Sequence, residues 1–109
     1  MSDNADYTLS SGNVFADLDV AEPEEVLVKA QLARVIGDVI ARRRLTQAQA
    51  AELLGVDQPK VSALRRGQLA GFSTDRLLRF LNALDRDVEI VVKTKPRSRK
   101  RAQIVVTTR

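Results

Sequence analysis

Between Gln58 and Arg66 the chain sets Gln58, Lys60, Ser62, Arg65 and Arg66 close together, with no carboxylate among them. Guanidinium and ammonium groups bind phosphate oxygens, while an amide or a hydroxyl can both donate and accept. If Val61 and Leu64 face a core, the surface left over is Gln58, Pro59, Lys60, Ser62, Ala63, Arg65 and Arg66. A solvated face ordinarily mixes signs, so an acid-free face of hydrogen-bonding side chains suits a phosphate-lined groove. The competing interpretation is a generic helical hairpin, a shape also found in proteins that bind no nucleic acid. Other chemistry is poorly supplied. The chain has no His and no Cys, which removes disulfides, thiolate nucleophiles and the usual zinc ligands. General acid–base work would fall to carboxylates alone, and neither a nucleophile–base pair nor a Gly-rich phosphate loop stands out. Aromatic residues make up only 4% of the chain, which disfavours a large shaped cofactor pocket. The sequence therefore predicts no enzyme, no catalytic residue, no cofactor and no metal site.

The distribution of charge says more than its sum of +4. Residues 1–31 carry seven acids (Asp3, Asp6, Asp17, Asp19, Glu22, Glu24 and Glu25) against Lys29 alone, a net −6. Residues 32–109 carry the other 17 bases and seven acids, a net +10. Either this is chance clustering on a solvated surface, or a polyanion-binding body bears an acidic N-terminal arm. No apolar run approaches the ~20 residues of a membrane span, and the N-terminus does not read as a secretory signal. A cytoplasmic protein without membrane association is the expectation.

The elements that must position these residues follow from pattern. One domain is expected from 109 residues. Residues 1–22 show no sustained period and predict a partly flexible acidic arm, apart from an apolar patch at Val14, Phe15 and Leu18. Residues 23–85 predict a helical domain containing a motif at 46–67. Pro23 with Glu24 and Glu25 opens a first helix, and Val28, Leu32, Ile36 and Ile40 form its stripe, widened by Val35 and Val39. Arg42, Arg43 and Arg44 complete it. Thr46 with Gln49 fits a capping box for a second helix, Gln47–Leu54, which stops at Gly55. Asp57 caps a third, with Pro59 in its first turn and Gly67 at its end. Ser73 or Thr74 caps a fourth, with Leu77, Leu78, Phe80, Leu81 and Leu84 on its apolar face. Residues 86–109 then change rhythm. Val88, Ile90 and Val92 alternate like a strand, a basic connector follows, and Ile104–Thr108 is a second β-branched run. Two strands alone are marginal in water, so they are expected to complete a sheet with a second subunit or to pack on the helices.

The stretch LTQAQAAELLGVDQPKVSALRRG resembles the helix-turn-helix of the Cro/C1-type repressors, the xenobiotic-response-element family. The resemblance rests on Gln47, on Ala51 at the helix crossing, on Gly55 in the turn, and on Leu54, Val56, Val61 and Leu64 in the core. It implies a mainly α, lambda-repressor-like bundle of four to five helices, here with one or two short C-terminal β-strands. It also implies that residues near the start of the recognition helix meet base edges in the major groove. Those positions are Gln58, Pro59, Ser62 and Ala63. The Gln58 amide can accept from adenine N6 and donate to N7, whereas Pro59 and Ala63 offer apolar contact. Pro59 departs from the polar residue common there. Gln47 matches the family glutamine that grips a phosphate and braces the recognition helix. Lys60, Arg65 and Arg66 are expected on phosphates, with pairing to an acid at a helix interface the alternative for Arg65. Since one recognition helix reads few base pairs, a homodimer on a palindromic operator of double-stranded DNA follows.

Over residues 11–93 the arrangement also resembles HigA-type antitoxins. That resemblance implies a transcriptional repressor that autoregulates its operon and neutralises a small basic ribonuclease-type toxin. The alternatives are a solitary or prophage-type regulator without a toxin, or a protein-interaction module. The acidic segment Asp17–Glu25 would be steered toward a basic partner, with Val14, Phe15 and Leu18 as its anchor. Equally, it could be a leader whose acids offset the basic body and whose apolar residues fold back on the first helix. The connector's Lys93, Lys95, Arg97, Arg99, Lys100 and Arg101 would add non-specific, salt-sensitive affinity.

Overall fold

The structure is a computed structural model that describes residues 23–109. The acidic arm and its apolar patch at Val14, Phe15 and Leu18 lie outside the described residues.

Helix α1 runs Pro23–Arg42, with Glu24 and Glu25 in its first turn. Acids there face the positive end of the helix dipole. The predicted stripe is the buried one: Val28, Leu32, Ile36, Val39 and Ile40 turn inward, joined by Ala33. Helix α2, Gln47–Leu54, begins with the predicted capping box. The Thr46 hydroxyl accepts from the Gln49 backbone amide at 3.0 Å, and Gln49 Oε1 accepts from the Thr46 backbone amide at 2.8 Å. Helix α3, Gln58–Arg65, starts at Asp57, whose carboxylate accepts from the Lys60 amide at 3.1 Å. Helix α4, Thr74–Ala83, is capped by Ser73 rather than Thr74, the hydroxyl accepting from the Arg76 amide at 3.1 Å.

All four helices end the same way, with a residue in the left-handed region and paired amides folded back onto the last turn. After α2 that residue is Gly55, at φ 72°, and the Val56 amide reaches the Ala51 carbonyl at 3.0 Å. After α3 it is Gly67, at φ 78°, with the Gln68 amide on the Ala63 carbonyl at 2.9 Å. Helices α1 and α4 make the same turn without glycine, using Arg44 at φ 54° and Asp85 at φ 64°. A Cβ at Gly55 would meet nothing within 4 Å, so its positive φ, not crowding, calls for glycine.

Helix α1 packs on α4 and α3, and α2 on α3 and α4. The side chains at the centre, Ile36, Ile40, Val61, Leu64, Leu77 and Leu84, are fully buried. Ala50 is also fully buried, deeper than Ala51, so two successive alanines let α2 approach its neighbours. Val56 and Leu78, expected in the core, sit half-buried at its margin. Phe72, in the loop before α4, closes one side by meeting Phe80 edge-to-face at 5.9 Å. Arg43 reaches across the bundle and donates to the Leu84 carbonyl at 3.1 Å, placing a cation at the negative end of α4.

The expected C-terminal strands do not form among the described residues. Residues 86–109 form no helix and no strand pairing, with a turn near residues 97–101, and Ile90 and Val92 are 77% and 91% exposed. A strand needs a neighbouring backbone for its amides and carbonyls, which a helix supplies internally. The second run does lean on the bundle: the Ile104 amide donates to the Glu24 carboxylate at 3.0 Å, and Val106 packs against the core. Among the described residues no helix is long and apolar enough to cross a membrane.

Candidate nucleic-acid interface

The geometry of α3 follows from which side it buries. At ~100° per residue, Val61 and Leu64 define the inward direction, and both are buried. The arc directly opposite carries Pro59, Ser62, Ala63 and Arg66. Gln58 and Arg65 flank it on one side and Lys60 on the other. The cap and first turn, Asp57–Lys60, are exposed, as are Arg65 and Arg66, while Ser62 and Ala63 are half-buried. Every residue expected at the interface therefore lies on α3 away from its core face, except Gln47.

Gln47 stands at the first position of α2, and its Nε2 donates to the Gln58 carbonyl at 3.1 Å. One amide hydrogen is spent holding the start of α3, and the other is left for a partner outside. The brace joins two helix N-termini. At each of them early amides lack partners within the helix, and the dipole favours anions.

Arg65 and Arg66 are neighbours with different surroundings. Arg65 borders an open cleft of about 430 Å³ between α1 and the end of α3, lined also by Ala33, Arg34, Gly37 and Asp38. Asp38 shares that cleft, yet among the described residues Arg65 forms no ion pair. Arg66 instead folds back along α3. One terminal nitrogen donates to the Ser62 hydroxyl, and the other donates to Gln68 Oε1 at 3.0 Å. Gln68 was not expected at the site. The only signal for it in the sequence is its place just after Gly67, whose left-handed turn swings the chain back beneath α3. In the basic connector, Lys95 donates to the Pro96 and Arg99 carbonyls, tightening a turn.

Two helices of eight residues each, joined by a glycine turn and braced by Gln47, constitute a helix-turn-helix. The comparisons with known proteins agree. A family model described as a helix-turn-helix domain matches residues 14–93. A solved structure named for the XRE family of transcriptional regulators is 56% identical, with a TM-score of 0.75 over 78% of this chain and 96% of its own. No curated protein matches. The chain belongs to the helix-turn-helix family of XRE-type transcriptional regulators, which are DNA-binding proteins and not enzymes.

Proposed function

We propose that the protein is a repressor that reads a palindromic operator as a homodimer, with α3 in the major groove. The acid-free outer arc of α3, anchored by the Gln47 brace, carries this reading. Gln58, Pro59, Ser62 and Ala63 meet base edges, and Gln58 pairs with adenine. Lys60, Arg65 and the free amide hydrogen of Gln47 bind phosphates. The second subunit supplies what residues 86–109 lack. Exposed Ile90 and Val92 and their unpaired backbone are suited to a sheet formed across a two-fold axis. Footprinting on the DNA upstream of the protein's own gene tests the reading. Two protected half-sites about 34 Å apart are expected, and absence of protection at any salt concentration would refute it. Sedimentation showing a monomer both free and on DNA would remove the dimer.

The regulator is further proposed to be the antitoxin of a type II toxin–antitoxin pair. The acid-rich segment before α1, net −5 over residues 1–22, supports a small basic ribonuclease-type partner. Co-expression with a neighbouring gene of that kind, followed by pull-down through this chain, tests it. A toxin that is not retained leaves a solitary regulator.

A further inference from the structure

The geometry points to Arg66 as a guanine-reading residue held in position by Ser62 and Gln68, and not as a phosphate contact. This inference rests on α3 being the helix that enters the groove. Arg66 lies on the arc opposite Val61 and Leu64, the side that would face the groove floor. Its Cα is ~12 Å along the axis from Gln58, which would suit the rim. Helical side chains, however, lean toward the N-terminus, and the bond to Ser62 shows the guanidinium lying one turn back. The charged group is thus carried inward, level with residues of the base-reading set.

The second argument is fixation. Lysine binds phosphate as a mobile point charge, whereas the planar guanidinium fork of arginine meets a pair of acceptors in a defined orientation. Reading a base edge needs a planar fork in one orientation. Here the fork is fixed by two acceptors on different sides, the Ser62 hydroxyl and Gln68 Oε1. The backbone sets the second of these. Gly67 at φ 78° directs the Gln68 amide to the Ala63 carbonyl at 2.9 Å, and the Gln68 side chain then meets Arg66 at 3.0 Å. Five N–H groups less two leaves three for DNA, enough for a bidentate pair to guanine O6 and N7. Ser62 accepts from Arg66, so its own proton is free to donate to a neighbouring base acceptor. Gln68 is a positioning residue.

Selection of binding sites from a random duplex pool tests this, using the wild-type chain, Arg66→Ala, Arg66→Lys and Gln68→Ala. A salt titration on each selected site accompanies it. The wild type is expected to require guanine at one pair per half-site, and 7-deazaguanine there should weaken binding. Arg66→Ala should erase that preference, with a loss of roughly ten- to a hundredfold on the selected site and the salt slope unchanged. Arg66→Lys should restore it only in part, since an ammonium also donates to guanine O6 and N7 but lacks the fixed planar fork. Gln68→Ala should relax the same position by a smaller factor and no other. Two results overturn the inference: a loss equal on all sequences with a slope shallower by about 0.9, or a relaxed position that Gln68→Ala leaves untouched. If the wild type selects no sequence at all, the groove reading of α3 fails first and this inference with it.

Discussion

Residues 46–67 and residues 86–109 are about equally long and both rich in aliphatic side chains, yet only the first stretch folds within one chain. In the first, apolar residues recur at helical spacing, so each helix closes its own backbone bonds and needs neighbours only for its side chains. Helices α1 and α4 supply those neighbours. In the second, Val88, Ile90 and Val92 alternate at strand spacing, and the backbone itself needs another strand. None lies beside it among the described residues, and beyond Arg86, which is bonded to the end of α4, the segment meets the bundle through the Ile104–Glu24 bond and the Val106 contact. The comparison teaches that period alone does not decide whether a segment folds. What decides it is where the backbone can satisfy its hydrogen bonds.

Core substitutions should separate the two regions most widely. Ile40→Ala removes a fully buried side chain and is expected to cost about 2–5 kcal/mol in urea unfolding. Val92→Ala, at 91% exposure, should change the stability of the single subunit by no more than ~0.5 kcal/mol. Comparable losses would mean that the terminal segment belongs to the folded unit, and the contrast would break. A smaller effect is expected at the turn. Gly55→Ala forces a side chain into φ 72° and should lower stability by ~1–2 kcal/mol, measured by thermal melting.

The caps provide the next step down. Asp57→Ala removes the acceptor for the Lys60 amide and should cost ~1 kcal/mol, whereas Asp57→Asn should largely retain it. The smallest change runs the other way. Asp85 holds φ 64° without being glycine, so Asp85→Gly should raise the melting midpoint slightly, by less than Gly55→Ala lowers it, because aspartate tolerates that region. A fall instead would show that the Asp85 side chain contributes more than its backbone conformation costs.

Much of the candidate site was legible because its determinants are local. The capping box at Thr46 and Gln49, the Asp57 cap and the glycine turns each depend on residues within a few positions of one another. The core stripe of α1 was legible for the same reason, and Val61 and Leu64 then gave the outward face of α3 by subtraction. Less visible was anything joining distant positions. The Arg43 donation to Leu84, the approach of Ala50 and the Phe72–Phe80 contact all require knowing how the helices cross. Gln68 escaped because its importance comes from the turn at Gly67 and not from its own type.

By itself the sequence determined four helices, the caps of α2 and α3 and the acid-free face of α3, since a helix satisfies its backbone from within and reports its buried side by its period. Only the tertiary structure decided what Gln47 braces, where the Arg66 guanidinium lies and that the terminal strands stay unpaired in one subunit. Those outcomes depend on how separate elements approach in space, which no period along the chain encodes.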